Sequence, residues 1–77
     1  MINILLFAHL QEAAGKERIT LDISSTTVKE LLQLLKSEYN LQGLNSVMVA
    51  INEEYALEDD TIKNGDTVAL IPPVSGG

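Results

Sequence analysis

The chain has 77 residues, 45% of them apolar, with eleven acidic side chains against five basic ones, a net charge of −6 and no cysteine. A chain of that length forms one small domain with one modest core and no room for a deep enclosed site, which argues against a self-contained enzyme. The missing cysteines exclude disulfides, thiolate metal sites and thiol catalysis; the missing cationic stripe excludes nucleic acid and disfavours an anionic membrane, leaving solubility or a partner with a basic surface as the use of the acidity.

Ile2 to Ala8 is rich in strand formers and predicts a first strand. Its apolar run, Ile4 to Ala8, is far too short to cross a bilayer or form a signal core, and no basic residue precedes it. A cytoplasmic location is expected. His9 to Ala14 has a composition compatible with a helix or a turn, and Glu17 to Ile23 alternates as a second strand with Ile19, Leu21 and Ile23 on one face.

The clearest segment follows. Ser24-Ser25-Thr26 leads into Thr27-Val28-Lys29-Glu30, a capping box with a hydroxyl at the start and a carboxylate three residues on. Val28, Leu31, Leu32, Leu35 and Tyr39 then recur at helical spacing, and Asn40 and Gly43 mark the exit. Val47 to Ile51 predicts a buried strand, Asn52-Glu53-Glu54 a turn, Tyr55 to Leu57 a brief pairing and Glu58 to Lys63 a polar loop. Asn64-Gly65-Asp66 is a strong turn signal before the last strand, Thr67 to Ile71, which Pro72-Pro73 ends because proline cannot donate to a ladder.

Two hairpin-like pairs flanking one main helix give the order of an α+β, β-grasp (ubiquitin-like) fold: a mixed sheet of four to five strands, the first and last at its centre, with the helix on one face. Residues 1–71 form that body, and residues 72–77 an extended tail. One helix covers one face only, yet the strands carry apolar residues at both parities. Ile2, Ile4 and Leu6 oppose Leu5 and Phe7; Val68 and Leu70 oppose Ala69 and Ile71. Leu5, Phe7 and Ile71 are therefore expected to form a patch that a partner covers, where burying two such side chains contributes roughly 3–6 kcal/mol.

The tail, Pro72-Pro73-Val74-Ser75-Gly76-Gly77, passes from the stiffest residue to the most flexible. The prolines keep the chain from curling back, Val74 offers an apolar anchor, and Ser75, Gly76 and Gly77 make a thin thread suited to a narrow channel in another protein. Free of its partner, that thread is expected to be unordered. A free carboxylate at Gly77 is a poor electrophile. ATP converts such a group to an acyl adenylate, from which a sulfur nucleophile displaces AMP to leave a thiocarboxylate. Other candidates carry less. His9 is the only histidine and has no ligand-spaced neighbours, Ser75 has no base, Asp66 fits a turn, and Gly15, Gly43 and Gly65 are isolated.

"LLFA" in the first strand, "VAIN" in the third and "NGDTVALIPPVSGG" at the end resemble, essentially over the whole chain, the small sulfur-carrying subunits of molybdopterin synthase. The proline pair distinguishes this pattern from the related carrier of thiamine biosynthesis. The resemblance implies that Gly77 is adenylated by an enzyme akin to those that activate ubiquitin, then receives sulfur from a donor enzyme. The tail would deliver it into the large synthase subunit, converting a cyclic pyranopterin precursor to molybdopterin within a heterotetramer. It implies no catalytic side chains on this chain, no metal and no permanently bound cofactor, with ATP consumed by the activating enzyme. One departure stands out: where the family often has arginine followed by glutamate after "LLFA", this chain has His9-Leu10-Gln11-Glu12. A sulfur carrier for another pathway such as thiamine, a ubiquitin-like protein modifier and a plain binding module remain alternatives.

Overall fold

The computed structural model describes residues 1–41 and 43–73. Strand β1 (Ile2–Leu6) is followed by helix α1 (His9–Ala14), β2 (Arg18–Leu21), β3 (Ser25–Thr27), helix α2 (Val28–Glu38), a single 3₁₀ turn (Leu44–Ser46), β4 (Met48–Ile51), β5 (Glu54–Ala56), β6 (Thr61–Lys63) and β7 (Thr67–Ile71). The main sheet has the order β2-β1-β7-β4-β5. First and last strands lie side by side and parallel, Ile4 against Val68 and Leu6 against Leu70, while β1–β2, β4–β7 and β4–β5 are antiparallel. This is the expected β-grasp, with the expected central pair.

Helix α2 begins where the sequence predicts, and for the predicted reason. The Thr27 hydroxyl accepts from the Glu30 backbone N–H at 3.2 Å, and the Glu30 carboxylate accepts from the Thr27 N–H at 3.3 Å. Two donors left open by the first helical turn are thus satisfied reciprocally. The apolar stripe buries Val28, Leu31 and Leu35 against one sheet face, with Leu32 and Tyr39 half-buried beside them. Beneath it lie Ile2, Ile4, Leu6, Ile19, Val68 and Leu70, each at most 2% exposed. No polar side chain is buried among the described residues, so the core is a dry hydrocarbon layer whose stabilisation is almost wholly apolar transfer.

Three details differ from the sequence reading. The first strand ends at Leu6, because Ala8 takes φ +52° and turns the chain into α1, the segment left open between helix and turn. The second strand is shorter than Glu17 to Ile23. The supposed polar loop contains β6, which pairs antiparallel with β3 as a separate two-stranded sheet. That pairing buries Ile62 completely. The adjoining loop also holds the start of α2, since the carbonyls of Glu58 and Asp60 accept from the N–H groups of Lys29 and Val28 at 3.1 Å each.

Candidate functional site

Strand β7 occupies the middle of the sheet and carries the chain to Ile71, Pro72 and Pro73. Pro72 is buried and Pro73 exposed. The remaining tail residues expected to enter a partner, Val74, Ser75, Gly76 and Gly77, lie outside the described residues, as does the expectation about the order of the free tail.

Among the described residues nothing covers the sheet face away from α2, and the register shows what it presents. One row crosses it as Arg18, Leu5, Ala69, Ala50 and Tyr55, in that order from β2 to β5. In the next row toward the chain's exit, Ile71 stands opposite Met48. Phe7 follows one position after β1 and continues its alternation. On the other side, Asn3 lies between Thr20 and Thr67. The three residues expected to form a patch therefore share one face: Leu5 and Ile71 are half-buried, and Phe7 is 42% exposed.

Sequence reasoning missed the rest of the patch. Met48 is 47% exposed and Tyr55 72% exposed. Between Leu5 and Tyr55 the two alanines leave a shallow depression of about 420 Å³, walled by Leu5, Asn52, Glu53 and Thr67. The signal was the same two-residue period that exposed Leu5 and Phe7. Applied to Val47–Ile51 it separates Met48 and Ala50 from Val49 and Ile51, but a short uniformly apolar run conceals which parity faces out.

One polar clamp holds this end of the sheet. The β4–β5 hairpin turns at Asn52 and Glu53, both at positive φ (50° and 72°), the geometry of the tight turn that matches strand twist. Asn52 then reaches back to β7: its side-chain oxygen accepts from the Thr67 N–H at 3.0 Å, and its amide donates to Asp66 at 2.9 Å. The other Asp66 oxygen accepts from the Lys63 N–H at 2.8 Å. These donors, with the Lys63 bond first, hold the Asp66 carboxyl below the ordinary aspartate value of 3.8. Asp66 fixes the turn before β7, as expected of it.

His9 opens α1 at the surface, its ring facing Gly43. Among the described residues no group of three or more His, Cys, Asp or Glu side chains is placed to hold a metal. Gln11, at the departure from the "LLFA" pattern, donates its amide to the Leu6 carbonyl at 2.9 Å, so it ties α1 to the end of β1. No helix among the described residues is long and apolar enough to cross a membrane.

Residues 4–77 match the model of the ThiS family. The chain belongs to this family. Among curated relatives, it is 40% identical to the molybdopterin synthase sulfur carrier subunit of Dictyostelium discoideum, over 97% of this chain and 94% of that one. It is 39% identical to the protein of the same name from Arabidopsis thaliana, over 99% of this chain and 82% of the other. Among solved structures, SAMP1 of Haloferax volcanii, a small archaeal modifier protein, superposes with a TM-score of 0.83 at 30% identity, covering 99% of this chain and 98% of that one. The ThiS family match includes the segment from Pro72 to Gly77 as well as the folded body.

Proposed function

We propose that this chain is a sulfur carrier of molybdenum cofactor biosynthesis and that the carboxylate of Gly77 is its working group. The observation that carries the reading is the identity of 40% and 39%, over nearly the whole chain, to two proteins named for that role. The fold supports it: β7, in the middle of the sheet, leads into Pro72 and Pro73, and one apolar face of that sheet is covered by none of the described residues. A tail entering a narrow channel and a flat apolar surface docking around that channel are the two halves of one recognition event.

The chemistry follows from the terminal group. A Gly77 carboxylate oxygen attacks the α-phosphorus of ATP on a ubiquitin-activating-like enzyme; pyrophosphate leaves and an acyl adenylate remains. Hydrosulfide released by a donor enzyme adds to the carbonyl carbon, AMP departs with the former carboxylate oxygen, and loss of the sulfur-bound proton leaves the thiocarboxylate. The resulting thiocarboxylate gives up its sulfur in the large subunit of molybdopterin synthase, where the cyclic pyranopterin precursor becomes molybdopterin; water supplies the oxygen that replaces sulfur as the C–S bond breaks, and Gly77 returns to a carboxylate. In this account the catalytic side chains belong to the large subunit, and ATP is consumed by the activating enzyme rather than held here. The assembly is a heterotetramer in the cytoplasm, and Leu5, Phe7 and Ile71 lie at its subunit interface.

Reconstitution tests this reading. With the activating enzyme, ATP, a sulfur source, the large subunit and the precursor, the intact chain should support molybdopterin formation and a chain lacking Gly77 should not. Equal activity of the two would refute it. A second reading, protein modification, is favoured by the likeness to SAMP1. It requires the activated carboxylate to form an isopeptide bond with lysine, so conjugates of higher mass would appear in place of the thiocarboxylate.

A further inference from the structure

The chain carries eleven acidic residues, yet none of them occupies a strand position on the uncovered sheet face. The outward positions of β1, β2, β4, β5 and β7 are apolar or neutral, with one exception: Arg18, exposed on β2 and directly opposite Leu5. One acid, Glu53 in the β4–β5 turn, lines the depression. A surface so sorted is unexpected if it merely faces solvent, because the acidic side chains are placed instead on both helices, on the helix side of β5 and in the turns and loops. Placed beside a leucine at the rim of an apolar patch, a guanidinium keeps its charge when partly desolvated and offers a planar fork that fits a carboxylate.

We infer that Arg18 is the charge by which this face selects its partner, and that the partner presents an acidic side chain next to the apolar surface that covers Leu5, Ala69 and Ala50. The inference rests on the proposed docking of the large synthase subunit to this face and adds to it the chemistry of the contact. It assigns to β2 a role that the sequence alone did not indicate. The cation also counters the repulsion that a chain of net charge −6 exerts on an approaching carboxylate.

The test is the affinity of the full chain for the large subunit encoded in the same genome, measured by calorimetry at low and high salt. Arg18→Glu should weaken binding roughly tenfold or more at low salt, with Arg18→Gln in between, and the deficit should shrink as salt screens it. Lys36→Glu makes the same charge change on α2, on the opposite side of the sheet, and should alter affinity by less than about threefold. Tyr55→Ala probes the apolar part of the same face. Loss of binding in Tyr55→Ala with unchanged binding in Arg18→Glu would overturn the inference and leave the docking face in place. Equal losses in Arg18→Glu and Lys36→Glu would also overturn it, by showing that only net charge matters. If the wild-type chain does not bind the large subunit, the docking reading falls and the inference falls with it. Thermal melts of each variant separate these results from unfolding.

Discussion

Tyr55 separates what folding needs from what docking needs. Its side chain stands on the edge strand β5 with 72% of its surface in solvent. For a tyrosine of about 200 Å², about 140 Å² is free to be covered by a partner and about 60 Å² is already buried. At about 25 cal/mol per Å², the first area corresponds to about 3.5 kcal/mol of binding and the second to about 1.5 kcal/mol of folding, both upper bounds because alanine keeps part of each. Tyr55→Ala should therefore weaken binding to the large synthase subunit by about 2–3 kcal/mol, roughly 30- to 150-fold in Kd. Its unfolding free energy should fall by about 1 kcal/mol, a Tm decrease of about 4–8 °C. Calorimetry on the purified pair and a thermal melt of the free chain give the two numbers. Unchanged affinity, or a folding loss larger than the binding loss, would refute the assignment of this face to docking.

Other consequences follow from the same structure. Phe7, at 42% exposure, divides its area more evenly, so Phe7→Ala should cost folding at least as much as binding in the same two assays. Thr27→Ala removes the acceptor for the Glu30 N–H and should lower stability by about 1 kcal/mol, while Thr27→Ser should be near wild type in urea unfolding. Asp66 has its carboxyl held below 3.8 by the Lys63 N–H and the Asn52 amide, so its folded pKa lies below its unfolded one. Its stabilising effect is fully present above the unfolded value of about 3.9 and disappears as pH falls through the folded value. Urea melts between pH 5 and pH 2 should show a shallower acid loss for Asp66→Asn than for wild type; equal slopes would contradict the assignment.

The parts legible from sequence were those encoded locally or by parity. Thr27 and Glu30 lie three residues apart, so their capping box needs no tertiary information. The opposition of Leu5 and Phe7 to Ile4 and Leu6 follows from strand geometry alone, and with it half of the face proposed for docking. The pairing of Ser25–Thr27 with Thr61–Lys63 was not legible. Its strands are three residues long and mostly polar, joined by backbone bonds between distant segments, with the buried Ile62 the only apolar residue in either. Ala50 and Ala69 read as unremarkable small residues until the register sets them side by side and turns them into the floor of a depression. Arg18 gained meaning the same way, as a lone charge on its face once the five strands were aligned.

Intact-protein mass spectrometry with C-terminal fragmentation tests the central claim most directly. The chain is incubated with ATP, the activating enzyme and a sulfur source, beside a control carrier that shows the enzymes to be active. The account predicts replacement of one oxygen by sulfur at Gly77. An unaltered Gly77, with the control carrier converted, would contradict it.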